Sequence, residues 1–266
     1  MTVLIAIPAR FASTRYPGKP LVPLTGATGE ARSLVRRSWE AARAVGGGPR
    51  VVVATDDARI RDHAEGFGAE VVMTSAQHRN GTERVAEAAA TLGGGFEAVV
   101  NLQGDAPLTP PWFVEALVEA LRARPEVAVA TPVLRMEGAA LAGFREDRRG
   151  GRVGGTTAAF GADHRALYFS KEVIPFTAEG FGAGEPTPVF HHVGVYAFRE
   201  GALAAYGALP PGPLEGLEGL EQLRFLEHGV DVLCVEVEAR GRPFWEVNNP
   251  EDVPRLEAMM ADMGMA

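Results

Sequence analysis

Ile5-Ala6-Ile7-Pro8-Ala9-Arg10-Phe11-Ala12-Ser13-Thr14-Arg15-Tyr16-Pro17-Gly18-Lys19-Pro20-Leu21 reads as an apolar strand running straight into a loop that carries Arg10, Arg15 and Lys19. In an open α/β sheet, ligands collect beyond the carboxyl ends of the strands, where loop amides and cations converge on one anion. Three cations at that place point to a polyphosphate. Neither G-x-x-x-x-G-K-[ST] nor G-x-G-x-x-G can be written across Pro8 to Lys19, which disfavours an ordinary P-loop or dinucleotide fold. Taken alone, the same three residues also read as solvated loop charges.

Outward from this strand the pattern is βαβ. Thr2 to Ile7 is apolar, Ala31 to Val45 carries Leu34, Val35, Trp39 and Ala42 at helical spacing, and Arg50 to Thr55 returns as a β-branched run. A helix over Ala58 to Gly66, a strand over Ala69 to Thr74, a helix over Thr82 to Leu92 and a strand over Ala98 to Leu102 continue the alternation. Thr109 as cap with Pro110 in the first turn starts a helix to Ala123. The fold class is therefore α/β, a three-layer, doubly wound, mostly parallel sheet.

From Val127 to Tyr196 the rhythm changes to strand-like pieces at Val127 to Pro132, Thr156 to Phe160, Ala166 to Phe169 and His192 to Ala197. Gly- and Pro-rich stretches separate them, with Glu146 to Arg152 and Thr177 to Pro188 reading as loops, so an inserted antiparallel lobe is expected over about residues 127–200 of a single domain. A helix over Leu214 to His228 then precedes a strand over Val232 to Val237. Asn249, Pro250, Glu251 and Asp252 open the last helix as cap, first-turn proline and acids matched to the dipole.

Composition narrows the class of protein. The chain has 266 residues, 46% of them hydrophobic, and a mean hydropathy near zero, the profile of a globular chain with a sizeable core. No stretch approaches the ~20 apolar residues of a membrane span, and no basic region precedes the short apolar run at the N-terminus. The expectation is a cytoplasmic protein without a membrane partner. A formal charge of −8 argues against nucleic acid as partner. The lone cysteine, Cys234, lies in an apolar alternation and reads as core, which leaves neither a disulfide framework nor a thiolate metal site.

Several polar groups fall where chemistry is expected. Asn101-Leu102-Gln103-Gly104-Asp105 ends a buried strand, so Asp105 emerges at the same sheet edge as the Arg10 loop. A carboxylate beside a triphosphate suggests magnesium, which takes one or two protein oxygens plus phosphate and water, with Asn248 as the candidate helper. A simple turn aspartate is the alternative for Asp105. Asn80-Gly81-Thr82-Glu83-Arg84 enters a helix and can grip nucleotide or cosubstrate, or can be a common capping motif with Thr82 capping and Glu83 and Arg84 in water. Glu221 and Gln222, read on a helix, can hydrogen-bond sugar hydroxyls or form a solvated face. His192 heads Val193-Gly194-Val195-Tyr196, where alternation puts His192 and Tyr196 on one side, lining a pocket or packed in the core. No Ser-His-Asp order, HExxH or CxxC is present to support hydrolysis or zinc chemistry.

Taken together, Pro8 to Leu21, Gly81-Thr82-Glu83-Arg84, Gln103-Gly104-Asp105, Leu167-Tyr168-Phe169-Ser170, His192 to Tyr196 and Leu220-Glu221-Gln222-Leu223-Arg224 resemble the 3-deoxy-manno-octulosonate cytidylyltransferases, in order and spacing along nearly the whole chain. The resemblance implies a nucleotide-diphospho-sugar transferase fold and a magnesium-dependent homodimer. It implies transfer of CMP from CTP to the acidic sugar Kdo, with release of pyrophosphate, for lipopolysaccharide assembly. It carries Ala9, Arg10, Arg15, Lys19 and Gln103 to the nucleotide, and Arg10, Lys19 and Asp105 to catalysis. Asp105 and Asn248 go to the metal, and Arg84, Gln103, Lys171, His192, Tyr196, Glu221 and Gln222 to the sugar. The chain departs from the pattern at Ala106, where the family has Glu, at Asn248, where it has Asp, and at Lys171, where it has Arg; the last keeps the charge and loses the bidentate fork. The stretch around Arg152 to Phe160 also departs. Another acidic sugar as acceptor, or a noncatalytic nucleotide-sugar binding module, are the alternatives.

Overall fold

Apolar β-branched runs alternate with amphipathic helices through the first part of the chain, and a computed structural model of the protein folds them accordingly. It describes residues 2–12, 16–153, 155–178, 180–242 and 245–265. The elements are β1 (Val3–Ala9), β2 (Pro23–Thr25), β3 (Ala31–Ser33), α1 (Leu34–Arg43), β4 (Arg50–Thr55), α2 (Ala58–Gly66), β5 (Glu70–Met73), α3 (Gly81–Thr91), β6 (Ala98–Leu102), α4 (Pro111–Ala123), β7 (Val129–Glu137), α5 (Gly138–Arg149), β8 (Thr156–Phe160), β9 (Ala166–Ser170), β10 (Pro186–His192), β11 (Val195–Phe198), α6 (Glu200–Tyr206), α7 (Pro213–Glu218), α8 (Leu223–Glu227), β12 (Val232–Glu236) and α9 (Asp252–Asp262). They fall into two units, Met1–Glu115 with Arg199–Ala204 and Ala239–Ala266, and Ala116–Phe198 with Ala205–Glu238.

The first unit holds a parallel sheet in the order β5-β4-β1-β6, with Ile5 opposite Val51 on one side and Val100 on the other. Such strands are covered on both faces, which is why β1 and β6 read as continuous apolar runs. A second cluster joins Leu24, Leu34, Leu108, Val247, Leu256 and Met260, tying the C-terminal segment into this unit. The predicted helix from Ala31 begins three residues late. Residues 31–33 instead pair with β2 as a small hairpin, and the Ser33 hydroxyl caps α1 by accepting from the Arg36 amide at 3.3 Å.

In the second unit β7 is the hub. It pairs antiparallel with β10 and β11 and parallel with β12, while β8 and β9 follow β10. The expected loop at Glu146 to Arg152 falls largely in α5. That helix buries only Gly138 and Leu141, packing Leu141 with Met136 and Val189, so its apolar stripe is too narrow to stand out from its charged residues. The expected loop over Thr177 to Pro188 likewise ends in β10. Cys234 is buried in β12, and burial pushes its thiol up to about 12, as its reading as core requires. Among the described residues no helix is long and apolar enough to cross a membrane.

Candidate active site

In the first unit the chain leaves β1 toward β4 and later returns on the opposite side of β1 as β6. The carboxyl ends of β1 and β6 are therefore a topological switch point, the place where open α/β sheets bind ligands. Ala9 ends β1, buried, and Arg10 follows it into solvent; Gln103, Gly104 and Asp105 follow β6. The backbones come close here. A Cβ on Gly104 would lie 2.8 Å from the Pro8 carbonyl oxygen, and one on Gly81 would lie 3.3 Å from Gln103 Nε2. The Ser38 hydroxyl donates to the Gly104 carbonyl at 3.1 Å, fixing the turn before Asp105.

Lys19 reaches into this crevice. Its ammonium donates to Asp105 Oδ2 at 2.6 Å and to the Val247 carbonyl at 2.9 Å, while the Val247 amide donates to the Asp105 carbonyl at 3.0 Å. Gly18, at φ +71°, lets the loop turn into the 3₁₀ segment Lys19–Leu21, and its amide closes the loop on the Phe11 carbonyl at 2.9 Å. The Phe11 ring fills the space beside Gly18 and carries the Arg59 guanidinium 3.3 Å from its centroid. Arg15 lies outside the described residues.

Arg84 is 3% exposed, which corrects the reading that leaves it in water. It pairs with Asp56 at 3.1 Å and donates to Thr74 Oγ1 at 2.5 Å. Burial pulls its pKa down, Asp56 opposes that, and the nearby Arg10 adds to it, so the two arginines share one field. Asn80, not Thr82, caps α3, its side-chain oxygen accepting from the Glu83 amide at 2.9 Å.

Asn248 follows Val247, and its place is set by Asp252. That carboxylate accepts from the Asn248 amide at 2.8 Å, the Asn249 amide at 2.7 Å and the Trp245 indole at 3.0 Å. The expected Asn249 cap is thus reversed, with the first helical acid reaching back to order the loop. Thr109 is likewise no cap: its hydroxyl donates to the Ala106 carbonyl at 2.9 Å, and α4 begins two residues later.

The donors in this crevice suit a hard cation. Asp105 offers a partly exposed carboxylate, and Asn248, beside the residue that pairs with Asp105, offers a neutral oxygen. Among the described residues no group of three or more His, Cys, Asp or Glu gathers to hold a metal, so an ion here would take its other ligands from phosphate and water.

The second unit gathers the remaining candidates. His192 ends β10 rather than heading a strand, and a turn through Val193 and Gly194 leads to Tyr196 in β11, with the two rings 5.6 Å apart between centroids. Thr131 Oγ1 donates to the Val195 carbonyl at 2.8 Å, so at the 2.9 Å contact between His192 Nε2 and Thr131 Oγ1 the imidazole is the donor. Burial, reinforced by His191, lowers the His192 pKa to about 3 and keeps the ring neutral. The Tyr196 hydroxyl donates to Gln222 Oε1 at 2.9 Å, and the buried Gln222 Nε2 has no partner among the described residues.

The predicted helix over Leu214 to His228 is broken. Gly219, at φ +63°, ends α7, and α8 begins only at Leu223, so Glu221 and Gln222 stand in the connector. The Glu221 carbonyl accepts from the Tyr206 hydroxyl at 3.1 Å. Arg224 is 1% exposed and grips Glu215 through both carboxylate oxygens at 2.6 and 2.7 Å, with its guanidinium 4.2 Å from the Tyr206 ring centroid. Sequence reasoning missed Asp56, Glu218 and Asp252, which brace candidate residues rather than stand among them, and Glu215, which holds Arg224 next to Gln222 in the same motif. Asp252 alone had a local signal, an acid four residues after Asn248.

The description "Cytidylyltransferase" belongs to the family profile that matches residues 4–232. A 3-deoxy-manno-octulosonate cytidylyltransferase of Maricaulis maris is 44% identical over 264 residues, covering 99% of each chain. The chain belongs to this family. An 8-amino-3,8-dideoxy-manno-octulosonate cytidylyltransferase of Shewanella piezotolerans is 39% identical over 98% of this chain and 99% of its own. A solved CMP:2-keto-3-deoxy-manno-octonic acid synthetase complexed with CTP superposes with a TM-score of 0.82 at 32% identity, covering 99% of this chain and all of the other. The protein is thus a nucleotidyltransferase of the CMP-Kdo synthetase fold. In this cytidylyltransferase Ala106 is fully buried, its amide donating to the Gln103 carbonyl at 3.3 Å. The departure at that position sits in the turn beneath Asp105.

Proposed function

We propose that this cytidylyltransferase transfers CMP from CTP to Kdo, in the cytoplasm, supplying an activated sugar for lipopolysaccharide assembly. The observation that carries the reading is the switch-point crevice, where Lys19 and Asp105 meet at 2.6 Å beside Arg10 and the close-packed Gly104. An anomeric hydroxyl of the acceptor attacks the α-phosphorus of CTP; the new O–P bond forms as the bond to the β-phosphate oxygen breaks, the hydroxyl proton passes to water, and pyrophosphate departs with the electron pair. Charge grows on the nonbridging and leaving oxygens, and fixed cations stabilise it. Arg10, Arg15 and Lys19 are the cations assigned to the phosphates, with Ala9 and Gln103 along the nucleotide. Asp105 and Asn248 would hold magnesium, which supplies Lewis-acid charge to the phosphate oxygens. On the acceptor side, Arg84 and Lys171 face the sugar carboxylate, and Gln103, His192, Tyr196, Glu221 and Gln222 its hydroxyls.

The 8-amino sugar named for the Shewanella relative gives a specific second reading, in which the acceptor carries an amine in place of a hydroxyl at carbon 8. Pyrophosphate release from each of the four nucleoside triphosphates, with magnesium and either Kdo, its 8-amino analogue or sialic acid, separates the possibilities. Release that needs CTP and Kdo together is expected. Release with only the 8-amino sugar or sialic acid moves the acceptor, and CTP binding without release under any condition would leave a noncatalytic binding module.

We also propose a homodimer formed through the lobe at about residues 127–200. Leu167, 70% exposed on β9, and Phe176, 88% exposed, support it as apolar surface suited to a second copy. Light scattering is expected to give twice the chain mass, and Leu167→Lys to lower it.

A further inference from the structure

Lys171 is held at its backbone and free at its tip. Its amide donates to Glu218 Oε2 at 2.9 Å, and its carbonyl accepts from the Arg148 guanidinium. Its ammonium makes no hydrogen bond or ion pair with the described residues. Glu218 ends α7 and gathers the strand end before Lys171: its Oε1 accepts from the Ser170 hydroxyl at 2.7 Å and from the Tyr168 hydroxyl at 3.4 Å. Ser170 in turn accepts from the Glu172 amide at 3.0 Å. The next residue, Gly219, lies under the lysine tip, where a Cβ would come 3.1 Å from Lys171 Nζ, and the chain then runs directly into Glu221 and Gln222.

One carboxylate thus joins the two segments that carry the acceptor-side candidates, the strand end at 168–171 and the connector at 219–222. Both of its oxygens are engaged by protein donors, so it acts on other residues rather than on a ligand. A lysine ammonium sits on a stem with four rotatable bonds, and fixing its main chain on both sides reduces the freedom lost when it meets an anion.

We propose that Glu218 is a positioning residue for acceptor binding, fixing the Lys171 main chain so that its free ammonium meets the acceptor carboxylate. This rests on the assignment of Lys171 to the acceptor side. It also bears on the Arg-to-Lys departure: a point charge lacks the fork that would orient it, and the carboxylate braces its backbone instead.

The test is steady-state kinetics on Glu218→Gln, Lys171→Met and the double variant, with KM measured separately for CTP and Kdo. Glu218→Gln is expected to raise the Kdo KM about tenfold while the CTP KM and kcat stay within twofold. If Glu218 acts through Lys171, the double variant is no worse than Lys171→Met alone. A Kdo KM unchanged in Glu218→Gln, or effects that multiply in the double variant, overturns the proposal while leaving Lys171 on the acceptor side. An unchanged Kdo KM in Lys171→Met overturns the acceptor-side assignment, and the proposal with it. Should Glu218→Gln unfold early in urea, Ser170→Ala removes one donor to the same carboxylate and keeps its charge. It is expected to raise the Kdo KM two- to fivefold, and no rise there overturns the proposal equally.

Discussion

At the scale of single residues, Lys19 and Asp105 are bound to each other and to the Val247 backbone, so each substitution has a distinct expected signature. Lys19→Ala removes a cation proposed for the phosphates and is expected to raise the CTP KM about tenfold or more, with the Kdo KM little changed. Asp105→Ala is expected to lower magnesium-dependent kcat about a hundredfold while the urea midpoint stays near wild type. Near-normal turnover at saturating magnesium would remove Asp105 from the mechanism. His192 gives a prediction for pH. Its folded pKa, about 3, lies below the ordinary 6.5, so below pH 6.5 the unfolded chain takes a proton that the folded chain refuses. Stability from this group is complete above pH 6.5 and falls as pH drops toward 3, by at most about 1.4 kcal/mol per unit. Urea melts at pH 7, 6, 5 and 4 are expected to show a shallower fall in His192→Asn, and parallel curves would count against a buried neutral ring.

At the scale of elements, β1, β4, α2 and β6 were legible because buried parallel strands and short amphipathic helices write their period directly into the chain. Arg50–Thr55, Ala58–Gly66 and Ala98–Leu102 fall where the pattern puts them. The failures share a trait, in that contacts and backbone conformations that helical spacing does not report decided the outcome. α5 shows a narrow stripe because it buries only Gly138 and Leu141, with Phe144 half-buried beside them. The run from Leu214 to His228 keeps helical spacing, yet Gly219 in the left-handed region breaks it and Arg224 folds back on Glu215. His192 and Tyr196 do meet, although by a turn between strands rather than by alternation along one. The Gly219 break carries its own prediction. Gly219→Ala places a side chain at φ +63° and against the Lys171 tip, and is expected to cost about 1 kcal/mol in a urea melt. The same variant should raise the Kdo KM with little effect on CTP; equal effects on both substrates would speak against a local role for this break.

At the scale of the whole molecule, the braces described here are local to each unit. Ser38, Phe11, Asp56 and Asp252 hold candidate residues or their loops within the first, among them Arg84, proposed for the acceptor, and Thr131, Glu215 and Glu218 do the same within the second. Ligand footprints should divide accordingly. In hydrogen exchange, CTP with magnesium is expected to protect residues 8–12, 103–106 and 246–249, and Kdo to add protection at 80–84, 168–172, 191–196 and 219–224. Protection by CTP alone across the second set would contradict that division. Arg10, Asp105 and Lys171 were visible in the sequence because they follow strand ends, and Arg84, Glu221 and Gln222 because they stand in a recognisable order of motifs; their braces were not, since an aspartate or glutamate that holds a loop carries the same letter as one on the surface.

The burial of Cys234 has a practical consequence. It is the chain's only cysteine, it lies in the core, and a thiol pushed up to about 12 presents almost no thiolate near neutral pH. The wild-type protein is therefore a ready background for fluorescent or spin labels. One cysteine introduced on an exposed helix of each unit, with no native thiol to remove, would let the distance between the units be followed through turnover.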